Sequence, residues 1–140
     1  MSNLNGLGSM TGEEAGRMGS LVLAYLGDTV YDLYIRTSLI AEGRGNAGTL
    51  HQLSIKFVNA RSQAQLARRI FDSFSEDEKA VFMRGRNAKS ATVPKNMTVA
   101  DYHQATALEA LIGYLYLTGR VDRIEEIIKK ALHAASPSES

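Results

Sequence analysis

The chain contains no cysteine. That absence rules out disulfides, thiolate metal sites and thiol nucleophiles together, and it suits a reducing cytoplasm. No secretory leader is expected either, since residues 1–20 show neither a basic n-region nor an apolar h-region. Asp28, Asp32 and Glu109 interrupt the longest apolar runs, so no membrane span is expected. The three histidines, His51, His103 and His133, show no HxxxH or HExxH spacing and give no zinc signature. No Walker-type phosphate loop occurs. The nominal dinucleotide fingerprint at Gly43, Gly45 and Gly48 follows a helical pattern instead of a strand, with no acid before Asp72. No nucleotide cofactor is expected. Asn96-Met-Thr98 fits a glycosylation sequon, which matters only in a secreted chain. These exclusions leave a soluble, cytoplasmic protein with no membrane partner as the expectation.

What is present amounts to one domain. At 140 residues the chain can bury a single core but has no room for a second module. Residues 1–19, with five glycines and few apolar side chains, are expected to be a flexible segment ahead of a domain at 20–133, and residues 134–140 a flexible tail. Thr11-Gly-Glu-Glu14 and Ser75-Glu-Asp-Glu78 match the capping box that starts a helix. Helical patterns cover about 20–40, 50–57 (capped by Thr49), 60–74, 76–83, a stretch from Thr98 or Asp101 to 118, and 121–132. Nothing reads as a strand of useful length. The fold is expected to be all-α, with six or seven helices.

The net charge of +1 conceals an uneven distribution. Between residues 43 and 100 there are ten Lys or Arg against four acids, all four of them lying between Asp72 and Glu78. Such a split suggests a surface for a polyanion, although a solvated helix face would look the same. The densest part is RGRNAKSATVPKN at 84–96, with Arg84, Arg86, Lys89 and Lys95, Asn87, two hydroxyls and no acid. Exposed amides, hydroxyls and cations are suited to sugar and phosphate contacts.

Residues 21–40 form an apolar pattern almost all round the helix, and yet Asp28 sits within it. Asp28, Asp32 and Arg36 fall at i, i+4 and i+8 on one stripe. Glu109 is likewise the only charge in ATALEALIGYLYL at 105–117. In a compact bundle the two most apolar helices pack together at the centre, which would let these acids face each other. Carboxylates that meet without a counter-charge repel, and a divalent cation removes the conflict. Oxygen ligands without His or Cys suggest magnesium or manganese. Beside a basic surface, such a cation suggests phosphodiester hydrolysis. The alternative is structural: Asp28 paired with a core Arg, and Glu109 accepting from backbone or Tyr donors.

These residues also fall into a familiar order. YLGDTVY at 25–31 resembles the helix motif of the ribonuclease III catalytic domain, and LEALIGYLYL at 108–117 resembles that family's second acidic motif. SIKFVNARSQA at 54–64 and RGRNAKSATVPKN at 84–96 look like the middle section of its short branch, Mini-ribonuclease III, which has no double-stranded-RNA-binding domain. The resemblance covers about 21–132. It implies a helical, homodimeric, Mg2+-dependent endonuclease (Mn2+ a possible substitute) that cuts double-stranded RNA. In this branch the implied task is maturation of the ends of precursor large-subunit (23S) ribosomal RNA.

Carried over by position, Asp28 and Glu109 match the catalytic, metal-holding acids, and Tyr25 stands at the dimer-contact aromatic. Further acids of the larger enzymes are replaced here by Ala24 and Thr106, leaving two protein carboxylates for the metal. Thr106 and Asp32 are expected to support the site from behind or beside it. Lys56, Arg61, Arg84, Arg86, Asn87, Lys89 and Lys95 would hold the RNA, with an affinity that falls steeply with salt. The replaced acids leave a second reading open, a non-catalytic ribosomal-RNA-binding module of the same fold.

Overall fold

The computed structural model describes residues 10–89 and 92–134. Of the segments expected to be flexible, 1–19 and 134–140, residues 1–9 and 135–140 lie outside the described residues. Among the described residues there are seven α-helices, one 3-10 turn and no strand: α1 (Gly12–Gly16), α2 (Ser20–Ala41), α3 (Ala47–Phe57), α4 (Ala60–Ile70), α5 (Glu76–Arg86), α6 (Val99–Leu117) and α7 (Val121–Ala134). None is long and apolar enough to cross a membrane.

Local chemistry sets most of the boundaries. Both capping boxes are formed: the hydroxyls of Thr11 and Ser75 accept from the backbone N–H of Glu14 and Glu78, whose carboxylates accept in return. Thr98 caps α6 by accepting from the Asp101 N–H at 3.0 Å. The start of α3 differs from expectation. Asn46 is its cap, accepting from the Thr49 N–H at 3.0 Å, so the helix begins three residues earlier and Thr49 lies inside its first turn. Gly43 (φ 67°) and Gly45 (φ 128°) take positive φ in the turn from α2 to α3, which explains these glycines without a cofactor. The expected helix at 60–74 also ends early. After Ile70 the chain tightens into a 3-10 turn, Phe71–Ser73, and the rings of Phe71, Phe74 and Phe82 meet with centroids 5.3–5.6 Å apart.

Helix α6 is the axis of the bundle. Residues 105–115 are buried except for Glu109, and α2, α4 and α5 pack around them. Helix α2 is not buried all round: Leu23, Gly27, Val30, Tyr31, Ile35 and Leu39 face inward, while Val22, Tyr25 and Leu33 are exposed. Where α2 crosses α6, the backbones touch. A β-carbon at Gly27 would overlap the Glu109 carbonyl, and one at Gly113 would overlap that of Leu23. Gly85 likewise brings α5 onto Ala107 and Ala110. Short ties complete the packing, notably Arg123 of α7, which donates to Glu78 at 2.9 Å and to the Ser73 carbonyl at 3.2 Å. Glu78, read from sequence as a capping acid, is therefore also half of a buried ion pair.

Gly27→Ala or Gly113→Ala is expected to destabilise the fold by roughly 3 kcal/mol or more, because the added methyl meets backbone that cannot yield. A thermal melt should show the midpoint lowered by about 10 °C; an unchanged midpoint would refute the close crossing.

Candidate active site

Asp28 follows Gly27 on α2, and the Glu109 carbonyl packs on Gly27. The crossing that forces the two backbones together therefore also brings together the two carboxylates singled out from the sequence. Asp28 and Glu109 lie within hydrogen-bonding range. Their surroundings differ from the expectation for Asp28, which is exposed at the edge of α2, whereas Glu109 is largely covered. Helix α2 leaves one face in water, so only Glu109 bears a large desolvation cost.

Burial, together with the hydrogen bond to Asp28 and its charge, pushes the Glu109 carboxyl up to about 8. A proton on Glu109 relieves the repulsion between two carboxyl groups placed side by side. Opposing this, the Gln63 side chain donates from Nε2 to Glu109 Oε2 at 3.2 Å and favours the ionised form. Gln63 is itself buried on α4. Its position is set by Asn59, whose carbonyl accepts from the Gln63 N–H at 3.0 Å and whose side chain caps the helix through Ser62. Gln63 is the residue that motif reading missed. It was detectable, because Gln63, Leu66, Ala67 and Ile70 lie on the apolar stripe of α4 and Gln63 is its one polar member.

No core Arg faces the pair, so the structural alternative of an Asp28–Arg ion pair does not hold among the described residues. Asp32 is bonded to Arg36 at 2.8 Å along the surface of α2. Thr106 is buried one turn before Glu109, and Ala24 is buried one turn before Asp28. Among the described residues no cluster of three or more His, Asp or Glu is available to a metal. The donor set is the two carboxylates, with the Gln63 amide alongside.

The basic residues are placed in two groups. Arg61, in the first turn of α4, borders a surface hollow of about 380 Å3 together with Asn96, Met97 and Thr98, so the end of the basic connection folds against α4. Lys89 and Lys95 are exposed in that connection, of which residues 90 and 91 are outside the described set. Arg84 and Arg86 lie in the last turn of α5, and Asn87 caps it. Lys56 stands apart from these, in the last turn of α3. Among the described residues none of these six cations is in an ion pair, whereas Arg68 is neutralised by Asp101 at 2.9 Å.

Comparison with known proteins agrees with this architecture. The Ribonuclease III domain family matches residues 21–120. Mini-ribonuclease 3 of Thermoanaerobacter sp. (strain X514) is 45% identical over 120 residues, covering 86% of this chain and 84% of the relative. Those of Clostridium tetani and Staphylococcus aureus are 43% and 41% identical, covering 88% and 82% of this chain and 82% and 87% of theirs. A crystal structure of a protein from Fusobacterium nucleatum superposes with a TM-score of 0.77 at 34% identity, over 86% of this chain and 96% of that one.

Because Glu109 binds its proton more tightly when folded than when unfolded, it should reduce stability as pH rises from about 4.5 to about 8. In chelator, Glu109→Gln is therefore expected to be more stable than the parent above pH 8, by roughly 5 kcal/mol, and to be equal to it near pH 4. Denaturant melts across pH would show this, and parallel curves for the two proteins would contradict the coupling.

Proposed function

Given that the chain belongs to the ribonuclease III family and is an endoribonuclease, we propose that it cuts double-stranded RNA at Asp28 and Glu109 with a divalent cation, Mg2+ or in its place Mn2+. We further propose that it works as a cytoplasmic homodimer on precursor 23S ribosomal RNA ends. The observation that carries the catalytic reading is the carboxylate pair, held side by side at a backbone-to-backbone crossing with no ion-pair partner among the described residues. A fold that needed only stability would gain nothing from it.

The donor chemistry fits the ion. Two carboxylates and an amide are hard oxygen ligands without His or Cys, which suits magnesium or manganese, and a dication would relieve the repulsion that holds a proton on Glu109. When bound, such an ion supplies activation of water and stabilisation of charge on the phosphate. The chain's own residues do the rest. Asp28, exposed at the edge of α2, presents its carboxylate to an approaching phosphate. Glu109, behind it, is kept in orientation by the Gln63 amide. Arg61, Lys89 and Lys95, with Arg84, Arg86, Asn87 and Lys56, offer unpaired cations and an amide to the backbone of a duplex. Asp32, paired with Arg36, and Thr106, buried one turn before Glu109, support the acids from beside and behind.

The dimer reading rests on the outer face of α2, where Tyr25 is 83% exposed beside Val22 and Leu33. An apolar stripe of this kind on a central helix calls for a partner surface. A second copy, meeting it about a two-fold axis, would cover both stripes at once.

Asp28→Asn and Glu109→Gln are each expected to lower cleavage of a long RNA duplex by about a thousand-fold or more while duplex binding changes by less than about three-fold, the pattern for loss of charge stabilisation at the phosphate. Discrete fragments from either variant in a magnesium assay would sink this mechanism. Tyr25→Glu is expected to convert a dimer to a monomer in sedimentation velocity, and a parent chain that sediments as a monomer would refute the assembly.

A further inference from the structure

On the side of α4 next to the Gln63 face, the structure contains a small recess of about 110 Å3 bordered by Tyr31, Lys56, Phe57, Ser62, Gln65 and Arg69. Its volume is that of about three or four waters, enough for one tetrahedral oxyanion. No acid lines it. Lys56 and Arg69 are exposed, and among the described residues neither forms an ion pair; Arg69 makes only a long contact, 3.4 Å, to the Lys130 carbonyl. The Ser62 hydroxyl is taken by the Lys56 carbonyl at 2.7 Å, which fixes the start of α4 against the end of α3 and holds the recess open between them.

Tyr31 marks the recess as a binding site. The residue is 1% exposed. Its ring lies in the core, and Tyr31 is one of the residues that border this recess. A buried tyrosine normally finds a partner for its O–H. Burial and the neighbouring Glu109 charge raise its pKa, so the hydroxyl stays protonated and serves as a donor. A donor at the back, two cations at the rim and no acid form a cradle for an anion.

We propose that this recess binds a single phosphate group, with Tyr31 donating from its hydroxyl and Lys56 and Arg69 neutralising the charge. Tyr31 lies three residues after Asp28, about one turn along α2, or roughly 5 Å. That spacing suits a backbone phosphate neighbouring the one at the carboxylate pair, an assignment that rests on the double-stranded-RNA reading. Free phosphate is the other source of the same chemistry.

The test uses the full chain in chelator with three proteins: parent, Tyr31→Phe, which keeps the ring and removes the donor, and Arg69→Gln, at the surface. Circular-dichroism melts establish that all three fold. Two probes are titrated, inorganic phosphate followed by calorimetry and a fluorescent RNA duplex followed by anisotropy at several salt concentrations. For a backbone phosphate, both variants should bind duplex about three- to ten-fold more weakly, with the salt slope falling by about one for Arg69→Gln alone, and phosphate should compete with duplex on the parent only. Phosphate binding lost in both variants with duplex binding unchanged supports the subsite with free phosphate as its occupant. A parent that binds phosphate but no duplex refutes the RNA reading and leaves the subsite standing. Variants indistinguishable from the parent with both probes overturn the proposal.

Discussion

The close approach of α2 and α6 is the constraint on which the rest depends. Helices carrying side chains at their contact stand 8–10 Å apart. Gly27 and Gly113 remove the intervening side chains, so the Glu109 and Leu23 carbonyls pack directly on the opposite helix. The same contact that builds the centre of the core also brings Asp28 to Glu109. Fold and site therefore share one interface, and a change that loosens it affects both. The remaining helices complete a sheath around α6, closed by α5 through Gly85 and by α7 through the Arg123–Glu78 pair.

Charge is handled in two ways in this molecule. Where a charged group serves only packing, it is matched: Arg123 with Glu78 and Arg68 with Asp101, each at 2.9 Å. At the α2–α6 crossing it is left unmatched among the described residues: two carboxyl groups stand side by side, and the donor to Glu109 is the neutral amide of Gln63. Such an arrangement lowers stability near neutral pH, and proteins retain costs of this kind at functional sites. The cations show the same contrast. Those proposed to meet RNA have no acidic partner among the described residues, and their charge remains available to a polyanion.

Much of the secondary structure was legible because it is written in short-range chemistry. The capping boxes at Thr11 and Ser75 and the cap at Thr98 each need only a side chain and a backbone N–H three residues away. Errors arose where two local signals competed. Asn46 and Thr49 can both cap a helix, and Asn46 prevails by adding a further turn to α3. The end of α4 was misjudged for a tertiary reason, since its 3-10 turn positions Phe71 and Phe74 against Phe82 of α5. In the site, Asp28 and Glu109 stood out as lone charges in apolar helices, whereas Gln63, being neutral, drew no notice.

The sequence by itself determined the all-helical class and the family, and it singled out the pair of acids, because composition, period-3.6 patterning and contiguous motifs are properties of the chain read locally. It did not determine the environment of those acids. An apolar pattern on every side of α2 cannot distinguish a helix wrapped by its own domain from one with a face left for another surface, and the structure makes Asp28 exposed and Glu109 covered. The displaced titration of Glu109, the amide at its side and the recess behind Tyr31 were likewise decided only by tertiary packing. Each depends on groups from helices far apart in the chain, whose distances no local pattern encodes.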